Sequence, residues 1–484
     1  MDSDVEHRER GGGTVRRMSI AEHVNRVWAE EILPALHDYI AIPNVSLLYD
    51  PQWRDHGHMD RAVELIRSWC ASRLVAGMTV EVRELPGLTP MIVIDVDAFG
   101  GGSADDPVLL YGHLDKQPEM TGWRDDLGPW KPVLEGDRLY GRGGADDGYS
   151  AFASVLAIEA AQAAGLRHNR CIILIEASEE SGSPDLPAHI DALRDRIGTP
   201  SLVLCLDSGC LDYERLWATT SLRGLVAGEL RVDVLTEGVH SGEASGVVPS
   251  SFRIIRQILD RIEDAADGAV RIPELHVEIP ADRVDQATAT ALDFPIAGHF
   301  PWADGTRPMM DDPVEQLLAR TWRPTLSITG ADGIPAVESA GNVLRPYTSL
   351  QLSLRIPPTC DHLAALEALQ RTVTADPPHG ATVELRHGHS GPGWNAPSFS
   401  PWLQHALDDA STAEFGKPAG AFGEGGSIPF MGMLGEMFPE AQFVVSGVLG
   451  PGTNAHGPNE YLHIPTARRL TSCLARILHA HATR

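Results

Sequence analysis

Four short apolar runs in this 484-residue chain each lead into side chains of the kinds that bind metals. "VLLYG" runs into His113 and Asp115, and "CIILIEAS" into Glu179 and Glu180. "LVLCL" runs into Asp207, and "FVVSGVLGPGTNA" leads to His456. Short apolar runs bounded by turn residues read as buried strands. In open α/β sheets ligands bind beyond the carboxyl ends of the strands, so these four ends point to one site. Asp146, in "GRGGADDGYS" just before a helical pattern, is a fifth contributor. Each residue alone has an ordinary explanation: a structural histidine, an exposed acidic pair, a carboxylate at a helix N-terminus. Gathered at successive strand ends, they point to a shared purpose.

The rhythm around these runs fixes the fold class. "MTVEVREL" and "PMIVIDVDAF" are further strand candidates. "YSAFASVLAIEAAQAAG" reads as a helix ending at Gly165, and "SPDLPAHIDALRDRIG" as one with Ser183 as N-cap and Pro184 at its first position. Strands alternating with helices predict an α/β layer built on a mostly parallel sheet. From about residue 220 the order becomes strand, helix, strand, strand, helix, strand, the split pattern of an α+β ferredoxin-like domain. A Pro- and Asp-rich stretch near 272–324 reads as irregular. Past residue 390 the α/β rhythm returns. The predicted organisation is a tail over 1–16, a catalytic domain over 17–220 and 390–484, and an inserted domain over 221–389.

The totals exclude several partners. A formal charge of −27 repels phosphate backbones and anionic lipid, so neither nucleic acid nor a membrane is expected. No apolar run approaches the ~20 residues that span a bilayer. The first residues lack the apolar stretch of a signal peptide and read as a disordered tail. Six scattered cysteines, none at CxxC spacing, fit a reducing, cytoplasmic setting.

Two histidines and three carboxylates (His113, Asp146, Glu180, Asp207 and His456) suit a hard or borderline divalent cation such as Zn²⁺ or Mn²⁺. Five protein ligands exceed the three that an open catalytic zinc takes, and they suit two metals sharing a bridging carboxylate. Asp115, two residues after His113 in an extended segment, could accept the imidazole's other N–H. Glu179, beside Glu180, is free to act as a base.

As a set, "GHLDKQP", "GRGGADD", "EASEESGS", "LDSG", "GVHSGEASG", "GEGGSIP" and "NAHGPNE" resemble the two-metal metallopeptidases that include carnosine dipeptidase, carboxypeptidase G and the aminoacylases. They occur in the family's order from about residue 105 to 461, closest to the carnosine-dipeptidase-like branch. The resemblance implies a zinc-peptidase-like catalytic domain with an inserted lid and dimerisation domain, and a homodimer through it. It implies that His113 and Asp207 bind one metal, Glu180 and His456 the other, and Asp146 both. The cofactors would be two divalent ions, Zn²⁺ foremost and Mn²⁺ as the other candidate. Asp115 would orient His113, and Glu179 would act as general base then acid in attack of metal-bound hydroxide on the amide of a dipeptide or short peptide. His240 and Asn342 would reach a partner subunit's site to stabilise the oxyanion. Arg355 and Ser427 would hold the substrate carboxylate.

The alternatives are a deacylase of N-acyl amino acids or another specialised amide, and a non-catalytic peptide-binding member. The chain departs from the family after the glycine loop, where Asp-Asp-Lys-Gly is usual and Asp146-Asp147-Gly148-Tyr149 stands here. Substrate preference is expected to differ there.

Overall fold

The computed structural model describes residues 18–426 and 428–484. The expected tail over residues 1–16 lies outside them. The four apolar runs are neighbours in one mixed sheet of nine strands. Val108–His113 pairs in parallel with Cys171–Glu176 on one side and Leu202–Cys205 on the other. Leu202–Cys205 pairs in parallel with Gln442–Val445. Register sets Tyr111 opposite Cys205, and Cys205 opposite Val445, so the strands finish at one level.

The centre is therefore parallel. The flanks are mostly antiparallel: Met91–Val96 runs against both Met78–Arg83 and Cys171–Glu176, and Trp217–Leu222 runs against Gln442–Val445 and Trp394–Asn395 but parallel to Gly420–Glu424. Short connections explain part of this, because residues 84–90 join the first two strands as a hairpin and leave no room for a crossover helix.

Both faces of the sheet are covered, as continuous Val/Ile/Leu strands require. One face packs Tyr149–Ala163 and Ile464–His481 in the largest apolar cluster; the other packs Leu186–Ile197 and Pro429–Met437. Tyr149–Ala163 is buried at every position from Tyr149 to Ala161, which its alanine-rich, all-round apolar sequence permits. It gives way at Gly165, whose φ of 71° matches the predicted left-handed end.

The sheet of the inserted segment has the order Thr325–Asp332, Tyr347–Ile356, Gly224–Asp233, Thr382–Gly391, antiparallel throughout. Helices Ser251–Ile262 and His362–Thr374 pack on it in one apolar cluster. This is the ferredoxin-like arrangement that the split pattern predicts.

Two local expectations change. The helix after the acidic turn spans Leu186–Ile197 with Asp185 at its N-cap, because Ser183 takes φ 52° and gives its hydroxyl to Glu176. The stretch near 272–324 holds two helices, Ala281–Asp293 and Pro313–Thr321. Their buried faces use small or few residues (Ala287, Thr290 and Ala291 in the first), so apolar periodicity is faint. They pack against Trp217 and Phe422. Among the described residues no helix is long and apolar enough to cross a membrane.

Candidate metal centre

The five predicted ligands meet at the C-terminal ends of the parallel strands. His113 closes its strand, Glu180 lies in a single 3-10 turn after Cys171–Glu176, and Asp207 follows Leu202–Cys205 by two residues. Asp146 sits in the glycine-rich turn that opens helix Tyr149–Ala163, and its peptide bond to Asp147 is cis. His456 comes from a loop where it adopts φ 64°.

The donors form two triads that share one residue. His113, Asp146 and Asp207 lie within 4.8 Å of one another, as do Asp146, Glu180 and His456. His113 Nε2 is 3.3 Å from Asp146 Oδ1 and 3.8 Å from Asp207 Oδ2. His456 Nε2 is 3.0 Å from Asp146 Oδ2 and 3.3 Å from Glu180 Oε2. Asp146 thus turns one oxygen to each triad. The first triad is enclosed, with His113 wholly buried, whereas the His456 side chain is 55% exposed.

Neighbouring groups hold these side chains. His113 Nδ1 lies 3.1 Å from the backbone carbonyl of Asp115 and 3.5 Å from its carboxylate. The Asp115 carboxylate also accepts the backbone N–H groups of Glu179 and Glu180 at 3.1 and 3.0 Å. It therefore anchors the acidic turn as well as the histidine. Asp147 accepts the His113 N–H at 3.2 Å. Gln117 donates to Glu180 Oε2 at 2.6 Å, and Arg142 donates to the carbonyls of His456 and Gly457 at 3.0 and 2.9 Å.

The electrostatics fit a cation. Burial drives Glu179 well above the usual carboxylate range, with the charge of Asp207 adding to it. Burial likewise pushes Asp207 up to about 7. Burial disfavours the His456 imidazolium, yet hydrogen bonds to Asp146 and Glu180 outweigh it and raise the group to about 11. Burial and mutual repulsion thus favour the protonated carboxylates, and divalent cations would offset both effects. Glu180 Oε1 is buried with no hydrogen-bond partner among the described residues, an acceptor suited to a metal. The donor set and this orphaned oxygen fit two divalent ions.

A cavity of about 300 Å³ opens over the cluster, lined by Asp146, Glu179, Asp207, Ser208, Glu424 and His456 among others. Glu179 Oε2 lies 3.9 Å from His113 Nε2 of the first triad. Glu424 was not singled out from the sequence, although it is also an acid at a strand end, on Gly420–Glu424. "GAFGE" is too poor in large apolar residues to advertise a strand. Glu424 accepts the Ser208 hydroxyl at 2.8 Å. Arg142 was missed too, since an arginine between glycines carries no signal of its own.

Three of the remaining predicted residues, Arg355, His240 and Asn342, do not line the cavity. Arg355 is half-buried on Tyr347–Ile356 in the four-stranded sheet. His240 and Asn342 are exposed side by side there, with Ser241 N donating to the Asn342 carbonyl at 2.9 Å, and neither lines the cavity. Ser427 lies outside the described residues.

Gly148 and Tyr149 do not line the cavity either. A Cβ at Gly148 would stand 2.1 Å from Tyr39 Cε1, so Tyr39 fills the space a side chain there would need. The Tyr149 hydroxyl donates to the Leu206 carbonyl at 2.6 Å, bracing the backbone just before Asp207. This departure shapes the frame of the site instead of its wall.

Comparison with known proteins agrees with the geometry. The chain is 29% identical over 366 residues to the cysteinylglycine-S-conjugate dipeptidase of Corynebacterium striatum, covering 73% of this chain and 76% of that protein. It is 26% identical over 391 residues to the Cys-Gly metallodipeptidase of Saccharomyces cerevisiae, covering 78% and 79%. The fold matches the solved Saccharomyces cerevisiae dipeptidase Dug1p with a TM-score of 0.73 at 21% identity, covering 96% of this chain and 98% of that one. Residues 109–480 match the sequence model of peptidase family M20/M25/M40, and the chain belongs to that family.

Proposed function

We propose that this chain is a two-metal dipeptidase, and that His113, Asp146, Glu180, Asp207 and His456 hold the metals, Zn²⁺ foremost and Mn²⁺ as the other candidate. The observation that carries the reading is the pair of triads sharing Asp146 at the floor of a cavity that also holds Glu179. The names of the relatives, Cys-Gly and cysteinylglycine-S-conjugate dipeptidases, support the substrate class.

When bound, the two ions would supply Lewis-acid polarisation of the scissile carbonyl and acidify a water. Glu179 takes the proton from the attacking water on a carboxylate oxygen and delivers it to the leaving amine. Its burial favours the protonated state that the second half of this cycle requires. Asp115 fixes the backbone of Glu179 and Glu180 relative to His113. Arg355 and Ser427 hold the substrate's terminal carboxylate.

Glu424 favours a dipeptide over an N-acyl amino acid. A carboxylate in the cavity wall receives a free ammonium group, whereas an acyl group offers it no charge.

The domain division at residues 220 and 390 belongs to this reading, with 221–389 as lid and dimerisation domain. Support for a homodimer comes from the exposed pair His240 and Asn342, flanked by exposed Val247, Val337 and Val343. In a dimer this pair would stabilise the oxyanion in the partner's site. Six free, buried thiols agree with a cytoplasmic setting.

The test is a panel of dipeptides and their N-acetylated counterparts on Zn²⁺- and Mn²⁺-loaded protein, with metal content measured by mass spectrometry. Two metals per chain and cleavage of free dipeptides are expected. Cleavage of only the acetylated forms would overturn the dipeptidase reading.

A further inference from the structure

Glu176 closes the strand Cys171–Glu176 as a buried carboxylate that the chemistry above does not use. It receives three hydroxyl groups. Oε1 accepts from Tyr111 and, at 2.9 Å, from Ser183, while Oε2 accepts from Ser178 at 2.9 Å. Ser178 precedes the 3-10 turn Glu179–Ser181, and Ser183 follows it. The two serines also meet at the backbone, where Ser183 N–H donates to the Ser178 carbonyl at 3.0 Å. One side chain therefore grips both ends of the loop that carries Glu179 and Glu180.

The loop needs such a grip. Gly182 and Ser183 turn the chain back with φ of 84° and 52°. A serine persists in this left-handed region where its surroundings hold it there, and the bonds to Glu176 and Ser178 do so. The Glu179 carbonyl accepts Gly182 N–H at 2.7 Å, and Asp115 accepts the N–H groups of Glu179 and Glu180. Glu179 is thus fixed through its backbone by two buried carboxylates: Asp115 acts on its N–H, and Glu176 acts on the serines that flank it. Tyr111 stands on Val108–His113, the adjoining strand, so its hydroxyl ties Glu176 to the strand that presents His113. A carboxylate suits this place because it accepts from all of these hydroxyls at once.

We propose that Glu176 is a positioning residue for the reaction. Through Ser178 and Ser183 it sets where Glu179 meets the attacking water and where Glu180 meets its metal. The proposal rests on the two-metal dipeptidase reading above and adds a residue to it. Misplacing a reacting group by about 1 Å costs on the order of 10²-fold in rate, so a loosened turn shows in turnover before it shows in substrate binding.

The test compares wild type with Glu176→Ala, Glu176→Gln and the double variant Ser178→Ala with Ser183→Ala. Cys-Gly is the substrate, on metal-loaded full-length protein. The double variant keeps the buried carboxylate and removes only the grip, so it decides the matter even where Glu176→Ala fails to fold. In it kcat should fall by about tenfold or more, with KM within about twofold of wild type. Glu176→Gln keeps the shape and much of the hydrogen bonding, and should recover most of the kcat that Glu176→Ala loses. Zn²⁺ titration against a chelating dye needs no turnover, and should show one of the two ions held about tenfold more weakly in the double variant. A double variant with kcat within about twofold of wild type and unchanged Zn²⁺ affinity overturns the proposal and leaves the dipeptidase reading intact. A folded Glu176→Gln as slow as Glu176→Ala overturns it as well. Weakened Zn²⁺ binding in the double variant, with no dipeptide cleaved by wild type, would uphold the grip on Glu180 and overturn the dipeptidase reading.

Discussion

Arg142 is the most informative residue to remove. Its side chain is 1% exposed and pairs with Glu460, which is 0% exposed. The same guanidinium donates to the carbonyls of His456 and Gly457, and Glu460 Oε1 accepts Gly143 N–H at 2.9 Å. One ion pair therefore ties the glycine loop before Asp146 to the loop that presents His456. Burial pushes Glu460 up to about 7 even with Arg142 attracting its charge, so desolvation already consumes much of the pair's attraction. Deleting only the arginine leaves that carboxylate buried without its cation, a change that costs about 3–5 kcal/mol. Arg142→Met should lower the stability of the metal-free protein by about 4 kcal/mol, read from urea unfolding by tryptophan fluorescence. Arg142→Met with Glu460→Gln keeps an acceptor for Gly143 and removes both charges, so it should cost about 2 kcal/mol less than the sum of the single changes. Metal titration against a chelating dye should show weaker binding of the ion proposed for Glu180 and His456 in the single variant. A loss below about 1 kcal/mol, or strict additivity in the double variant, would refute the argument.

Other outcomes follow from the same structure. Glu179→Gln should reduce turnover by about 10²–10⁴-fold with both metals retained, measured by steady-state kinetics and metal content; full activity would remove Glu179 as the base. Gly148→Ala should destabilise the fold by about 1–3 kcal/mol, because the new methyl group meets the Tyr39 ring and the Gly143 carbonyl; an unchanged urea midpoint would contradict that packing. Burial opposes ionisation of Glu159, but hydrogen bonds from His23 and Arg73 prevail and lower it from 4.5 to about 2. Its folded-state pKa is depressed, so its contribution of about 3 kcal/mol is complete above about pH 4.5 and is lost as the pH falls through about 2. The stability gap between wild type and Glu159→Gln should be full at pH 7 and shrink below pH 4.5; a gap that widens in acid would reverse the sign of the argument.

How much the sequence disclosed depended on whether the signal was local. The parallel strands were legible because Val, Ile and Leu filled both faces, and each ended on a polar side chain that a buried strand does not need. His113, Glu180, Asp207 and His456 could be collected on that ground. The directions of the flanking strands were not legible, since pairing is decided by partners distant in sequence. Helices Ala281–Asp293 and Pro313–Thr321 hid because their packed faces rely on small or few residues. Arg142 and Glu424 act through residues hundreds of positions away in the chain, Glu460 and Ser208 respectively, and no spacing rule reports such a pair. Ser183 looked like a helix cap until its hydroxyl was needed by Glu176.

The helix Tyr149–Ala163 has a consequence for how the site ages. Its amides are shielded on every side, so their exchange with solvent deuterium should wait for the opening of the largest apolar cluster. The turn carrying Asp146 leads directly into that helix and shares its protection. The loop carrying His456 is tied down at its backbone by Arg142, but the histidine side chain itself reaches solvent. Opening of the site should therefore begin at His456, with the Asp146 turn the last part to open.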